Sequence, residues 1–359
     1  MKPVVWLLSA YRADSHAQWV DWLTGRIQTV DWRVRELPGR HFAWRIRSNP
    51  LSWLDDLPEG VPDLILASSM VDLATLKGLH PRLARVPSWY YFHENQLAYP
   101  ILPGQVESIE PAMVQLYGAL AAQRCLFNSR HNRDSFLAGL EALSRRLPEP
   151  WPDQLVARLQ ARSEILPVPV EPIAAGPTRD PGLMLWNHRW EHDKQPDRFT
   201  DAVIELADSG LDFRLALLGR RTRRTPPALT RLRERLGSRI EVDGFVDRSA
   251  YAHWLGRAGL VVSTALHEFQ GISLLEAVSA GARPIVPDAL CYPEQYPADC
   301  RYDPARNGAL TEALARQLAQ PKPAPAVDDW LASSTGPRWQ EVLGTLLRGL
   351  QQGPGTQAQ

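Results

Sequence analysis

The chain has 359 residues, 44% hydrophobic and 22% charged, which excludes a disordered or fibrous protein and leaves ample apolar material for buried cores. Forty basic residues balance forty acidic ones, so net charge alone draws the chain neither to nucleic acid nor to a membrane. Three cysteines, without a CxxC or a paired histidine, exclude a disulfide framework and a zinc site and fit free thiols in a reducing, cytoplasmic compartment.

A chain of this length is expected to form two domains. The first apolar run, Val4–Ala10, is too short for a signal peptide or a membrane span and predicts a buried strand. Ser15-His16 follow it, at a position that suits either a ligand contact or a helix cap. Next comes Arg40-His41-Phe42-Ala43-Trp44-Arg45-Ile46-Arg47, which interleaves basic and aromatic residues as backbone contact and base stacking require. The competing reading is arginine-biased surface with Phe42 and Trp44 partly in the core, because only Lys2, Lys77, Lys194 and Lys322 are lysines. Runs at Asp63–Ser69, Ser88–His93 and Arg124–Ser129 complete a first series of strands. Polar groups break out abruptly at His93-Glu94-Asn95-Gln96, and Asn128-Ser129 offer another cap.

Arg145–Arg162, with Pro148, Pro150 and Pro152, reads as an insertion, and the Pro-rich stretch Leu166–Pro177 as a stiff domain boundary. A second series of strands follows at Leu183–His188, Phe213–Gly219, Ile240–Phe245, Gly259–Ala265 and Ala282–Pro287. Helical patterns between the runs argue for parallel βαβ units. The expected organisation is residues 1–170, residues 178–325, a helical segment 326–350 packing back toward the first domain, and a disordered tail 351–359. Helices are expected at Gly308–Ala319 and Arg338–Leu350. The fold class is therefore α/β, with two doubly wound Rossmann-like domains facing across a cleft onto which the strand ends open.

Two segments of the second domain hold the candidate chemistry. In Trp186-Asn187-His188-Arg189-Trp190-Glu191-His192-Asp193-Lys194, Arg189 and Lys194 suit two phosphates, although a solvated helix start capped by Asp193 explains them as well. In Ser263–Ala277, a strand end is followed by Glu268, then Phe269, Gln270, Gly271 and Ile272 at a predicted helix start whose N–H groups suit a diphosphate. Seven residues separate Glu268 from Glu276, a spacing that suits two carboxylates bracketing a nucleotide sugar, or a dipole-favoured Glu and an exposed one. A second arginine cluster, Arg220, Arg221, Arg223, Arg224, Arg231, Arg233 and Arg235, suits RNA contact less well than the first and otherwise reads as arginine-biased surface; with Pro226-Pro227 and a weak apolar face it is a poor membrane-docking helix. Asp-x-Asp, GxGxxG and GxxxxGK[ST] are all missing, so neither a carboxylate-held metal nor a dinucleotide cofactor is indicated.

These segments together resemble the retaining glycosyltransferases of family 4, which have the GT-B fold. Glu268 and Glu276 match that family's glutamate pair, and Arg189 with Lys194 its phosphate-binding pair. Tyr91-Phe92-His93-Glu94-Asn95-Gln96-Leu97 with Tyr99-Pro100, His188–Lys194, Ser263-Thr264-Ala265 with His267-Glu268-Phe269, and Tyr292-Pro293-Glu294 narrow the likeness to the tRNA-queuosine mannosyltransferases. Ala67-Ser68-Ser69 and Phe127-Asn128-Ser129 agree with that subgroup, and the resemblance runs from about residue 4 to 303. It implies metal-independent transfer of mannose from GDP-mannose to the cyclopentenediol of queuosine in the tRNA(Asp) anticodon. It further implies that Glu268 holds the sugar hydroxyls, Glu276 the ribose, Arg189 and Lys194 the diphosphate, and His93 the sugar. Phe269, Gln270, Gly271 and Ile272 would complete the donor site. Ser15, His16, Glu94, Asn95, Arg40, Trp44, Arg45 and Arg47 would face the acceptor. The loop Tyr11–Asp14 departs from the family's usual glycine pair. A related transferase with another sugar nucleotide or a lipid or oligosaccharide acceptor, and a non-catalytic sugar-nucleotide or RNA binder, are the competing expectations.

Overall fold

A computed structural model describes residues 2–99, 108–219, 221 and 225–351. The chain divides into two compact units, Met1–Pro169 together with the chain from Ser334, and Val170–Ser333.

In the first unit, β1 (Val4–Arg12), β2 (Asp31–Pro38), β3 (Leu64–Ser68), β4 (Ser88–Phe92), β5 (Arg124–Phe127) and β6 (Ser163–Ile165) pair in the order β2-β1-β3-β4-β5-β6. Every pairing is parallel. The intervening helices are α1 (Asp14–Arg26), α2 (Phe42–Ser52), α3 (Leu73–Leu79), α4 (Glu110–Ala121), α5 (Arg130–Ser144) and α6 (Leu155–Ala161). The central strands β3 and β4 are buried at every position, as strands covered on both faces must be. Within Arg145–Arg162, the segment read as an insertion, α6 buries Leu159 and delivers the chain to β6. Ser129 caps α5, its hydroxyl accepting from the Asn132 N–H at 3.0 Å. Ser15 and His16 cap nothing, since Ala13 holds that position on α1.

In the second unit, β7 (Asp180–Trp186), β8 (Arg214–Leu217), β9 (Ile240–Asp243), β10 (Ala258–Val262), β11 (Arg283–Pro287) and β12 (Arg301–Tyr302) pair in parallel in the order β12-β11-β10-β7-β8-β9. Its helices are α7 (Pro196–Asp208), α8 (Pro227–Leu236), α9 (Arg248–Arg257), α10 (Ile272–Ser279) and α11 (Ala309–Ala319). Strand order reverses between β7 and β10, which makes their outgoing loops the switch point of the sheet, the place where open α/β sheets bind ligands. The apolar face of α8 is stronger than its sequence suggests: Ala228, Leu229, Leu232 and Leu236 are all buried in the core. Among the described residues no helix is long and apolar enough to cross a membrane. The three cysteines are buried free thiols.

The last helix, α12 (Ala332–Gln351), begins ahead of the expected Arg338 and joins the first unit from Ser334. Trp339 anchors it there. Its ring is fully buried 6.1 Å from Trp19 and 5.3 Å from Tyr91, and its Nε1–H donates to the Pro167 carbonyl at 2.9 Å. Residues 352–359, most of the expected disordered tail, lie outside the described residues.

Candidate functional site

The loops leaving β7 and β10 are stitched together where the strand order reverses. The Leu266 N–H donates to the Asp193 carbonyl at 2.7 Å, and the Thr264 hydroxyl donates to the Lys194 carbonyl at 2.7 Å. This fixes the Lys194 ammonium against the opposite loop, where it donates to the His267 carbonyl at 2.7 Å and to Glu268 Oε2 at 3.2 Å. Asp193 Oδ2 faces the same ammonium at 3.3 Å, so Asp193 partners Lys194. It does not cap α7: Gln195 holds that position, in a left-handed conformation with φ of 50°. A non-glycine residue tolerates such strain where its surroundings enforce it, and here the turn directs Lys194 inward.

Burial opposes charge on Lys194, but Glu268 and Asp193 outweigh it and hold the ammonium above its ordinary value. Burial likewise opposes ionisation of Glu268, yet Lys194 wins and the carboxyl is pulled down to about 2. The pair is therefore ionised at neutral pH, in a place that otherwise disfavours charge. Nearby His188 is buried and its imidazole is lowered to about 4, first by burial and then by the Lys194 charge. Arg189 stays about half exposed and meets Glu191 Oε2 at 3.3 Å.

Beyond Glu268 the chain enters α10 through Gly271, whose φ of 63° favours glycine. Phe269 and Gln270 are buried and Ile272 half-buried at this entrance. The Phe269 N–H donates to Glu268 Oε1 at 3.1 Å, and Gln295 Nε2 donates to the Gln270 carbonyl at 2.6 Å. Glu276, on α10 itself, belongs to a separate network: Arg248 Nη1 donates to its Oε1 and the Tyr251 hydroxyl to its Oε2, each at 3.0 Å.

In the first unit His93 follows β4 and packs at 4.0 Å between ring centroids, tilted by 38°, on His16 from the first turn of α1. The edges of Trp19 and Tyr91 complete the enclosure at 4.9 and 4.7 Å. Both histidines are buried, and none of their four ring nitrogens has a hydrogen-bond partner among the described residues. Burial lowers His16 to about 4; burial and then the His16 charge hold His93 well below the ordinary imidazole value. Two neutral imidazoles thus each present one donor and one acceptor. Ser15 is half-buried beside them.

The remaining expected acceptor residues divide. Asn95 is consumed internally, its amide nitrogen donating to Asn132 Oδ1 at 2.9 Å and its oxygen accepting from the Ala98 N–H at 2.9 Å. The Glu94 carbonyl accepts from the Ser69 hydroxyl at 3.0 Å. Phe42 packs on the core, but Trp44 is 68% exposed, against the expectation that both are partly core. Arg40 is exposed and Arg45 reaches Ser52 Oγ at 3.4 Å. Arg47 is tied to Asp72 at 2.5 Å and Glu110 at 3.2 Å, which makes it a structural cation. Of the second arginine cluster, Arg220, Arg223 and Arg224 lie outside the described residues. Arg221 and Arg233 pair with Asp243, Arg231 with Asp197 and Asp201, and Arg235 with Asp208, so each described arginine of the cluster has a carboxylate partner. Sequence reasoning missed Arg248, Tyr251 and Gln295, which carry no local motif; Asn187, also overlooked, stood inside a segment already singled out.

The family model described as tRNA-queuosine alpha-mannosyltransferase N-terminal matches residues 4–170, and that described as glycosyl transferases group 1 matches residues 183–320. The tRNA-queuosine alpha-mannosyltransferase of Drosophila melanogaster is 31% identical over 335 residues, 89% of this chain and 88% of that protein. A GDP-mannose-dependent alpha-(1-6)-phosphatidylinositol dimannoside mannosyltransferase of Mycobacterium tuberculosis is 33% identical over 106 residues, 29% of this chain and 26% of that protein. Among solved structures, sucrose-phosphate synthase from Thermosynechococcus elongatus aligns with a TM-score of 0.66 at 13% identity, over 97% of this chain and 100% of that one. Anabaena Alr3699/HepE, in complex with UDP and glucose, aligns with a TM-score of 0.65 at 13% identity, over 96% of this chain and 100% of that one. The fold class is thereby α/β of the GT-B kind.

Proposed function

The chain belongs to the tRNA-queuosine alpha-mannosyltransferase family, and on that premise we propose that it moves mannose from GDP-mannose to the cyclopentenediol of queuosine in the anticodon of tRNA(Asp). That it is a glycosyltransferase follows from the family; the donor, the acceptor and the residue roles are the proposal. The observation that carries it is the ionised Lys194–Glu268 pair where strand order reverses, beside the helix entrance at Gly271. GDP-mannose dependence in the name of the mycobacterial relative supports the donor.

In this reading the donor's diphosphate lies against Lys194, Arg189 and the N–H groups at the start of α10. These groups stabilise the charge that grows as the glycosidic bond stretches toward an oxocarbenium-like state. All three ammonium hydrogens of Lys194 already face protein oxygens, from His267, Glu268 and Asp193. An arriving phosphate therefore competes with Glu268 for the ammonium. Loading the donor turns the Glu268 carboxylate over to the sugar hydroxyls. Glu276 takes the ribose hydroxyls. In the first unit His93, kept neutral by its enclosure, offers one donor and one acceptor without adding a cation, and His16 and Ser15 adjoin it as acceptor contacts. Exposed Trp44 and Arg40, with half-buried Arg45 beside them, supply an aromatic and basic surface for the tRNA.

The test incubates purified protein with queuosine-containing tRNA and, separately, GDP- and UDP-sugars, then weighs the nucleosides by mass spectrometry. A queuosine heavier by one hexose with GDP-mannose alone is expected, and Glu268→Ala should abolish the gain without changing the fold. Donor hydrolysis without any heavier queuosine rejects the acceptor. Full activity of Glu268→Ala rejects the assignment of Glu268.

A further inference from the structure

Glu276 is 6% exposed, and its carboxylate is held before any ligand arrives. Arg248 Nη1 binds Oε1 and the Tyr251 hydroxyl binds Oε2, both at 3.0 Å, while the Arg248 guanidinium lies 5.7 Å from the centre of the Tyr251 ring. The network continues past the phenol. Asn187 Nδ2 donates to the Tyr251 oxygen at 3.1 Å and to the Ser273 carbonyl at 2.9 Å.

A phenol has one proton, and an ionised carboxylate only accepts, so the bonds have one consistent direction, from Asn187 to Tyr251 to Glu276. They join the loop after β7, helix α9 and the first two turns of α10. Each carboxylate oxygen has roughly two lone-pair directions, and the protein occupies one on each. The remaining directions are set at fixed angles, which is what a vicinal diol needs from a carboxylate. Without Tyr251 the carboxylate would be free to rotate about its last bond while still paired with a largely exposed arginine.

We infer that Tyr251 and Arg248 are positioning residues that hold the Glu276 carboxylate in the orientation that receives the ribose diol of the nucleotide donor, with Asn187 fixing the Tyr251 hydroxyl. The inference rests on the proposed role of Glu276. Neither residue touches the reacting atoms. Their effect belongs to donor affinity, through a contact that depends on ribose hydroxyls.

The experiment measures binding of GDP and of its 2′,3′-dideoxy analogue to the full chain by calorimetry, for the wild type and Tyr251→Phe. The wild type should prefer GDP by about tenfold or more, as for a hydrogen bond to a charged group. Tyr251→Phe should lose most of that preference by weakening GDP alone, and should raise KM for the donor with kcat nearly unchanged. If Tyr251→Phe weakens both nucleotides equally, or neither, the positioning role is overturned. If the wild type itself does not discriminate, Glu276 does not hold the ribose and the inference falls with that reading. Arg248→Gln, at a side chain 66% exposed, repeats the test should the phenylalanine variant fail to fold.

Discussion

Lys194, which is buried, and Glu268, which is 20% exposed, keep their charges, whereas three buried imidazoles, His188 beside them and His16 and His93 in the first unit, do the opposite. His16 and His188 sit near 4 and His93 is held well below its ordinary value, in each case chiefly by burial. The signs agree across these groups. A histidine depressed in the fold binds its proton only on unfolding, so the stability it supports is whole above its unfolded value of about 6.5 and drains away as pH falls toward 4. The depressed carboxyl of Glu268 works in the same direction over a lower window, from its ordinary 4.5 toward about 2. Urea unfolding at pH 7 and pH 5 should therefore show a marked loss at the lower pH, on the order of 2 kcal/mol for each of His16 and His188. His16→Gln should flatten the dependence. Equal stability at both pH values would mean that the folded protein already carries the protons.

At the scale of elements, helix α2 splits into an inner and an outer edge with different duties. Arg47 reaches the carboxylate of Asp72, which is almost wholly buried and also caps α3 by accepting from the Thr75 N–H at 3.2 Å. Arg47→Ala strands that carboxylate and should cost about 2 kcal/mol in thermal or chemical unfolding. Trp44→Ala, at an exposed side chain on the same helix, should leave stability within about 0.5 kcal/mol. It should still weaken tRNA binding by about 1–3 kcal/mol in a filter-binding titration, the usual worth of one stacked base. Equal tRNA affinity would move the acceptor surface elsewhere. The sequence presented Arg47 and Trp44 as one basic-aromatic stretch, since nothing local reveals that Asp72 waits for the first and solvent for the second. Strands β3, β4 and β10 were legible because central parallel strands are continuous apolar runs. Strand β2 was not, because an edge strand carrying Arg33, Arg35 and Glu36 is only half-buried and shows no such run. Glu268 and Lys194 were each legible by motif, but their contact spans 74 residues and is made by the strand order. Tyr251 and Arg248 gain their meaning only when α9 is laid beside α10.

For the whole molecule, the chain from Ser334 returns to the unit that began it. Trp339 fills the space beside Trp19 and Tyr91, and Tyr91 in turn walls His93. Trp339→Ala should cost about 3–5 kcal/mol, the usual loss for a buried large aromatic, and the loss should fall on one unit only. Hydrogen exchange should find β1 to β6 less protected and Val170–Ser333 unchanged; a uniform loss across both would mean that the units do not unfold separately.

This route through the fold also sets a timetable. A ribosome delivers β1 to β6, then the whole of Val170–Ser333, and only afterwards the helix that covers Trp19 and Tyr91. At ordinary elongation rates the first unit waits roughly ten to thirty seconds with that aromatic face open, the time taken to make the second unit, which then has every residue it needs to fold. The half of the protein made first is thus the half finished last, and nascent chains stalled within the second unit are where a chaperone would find exposed tryptophan.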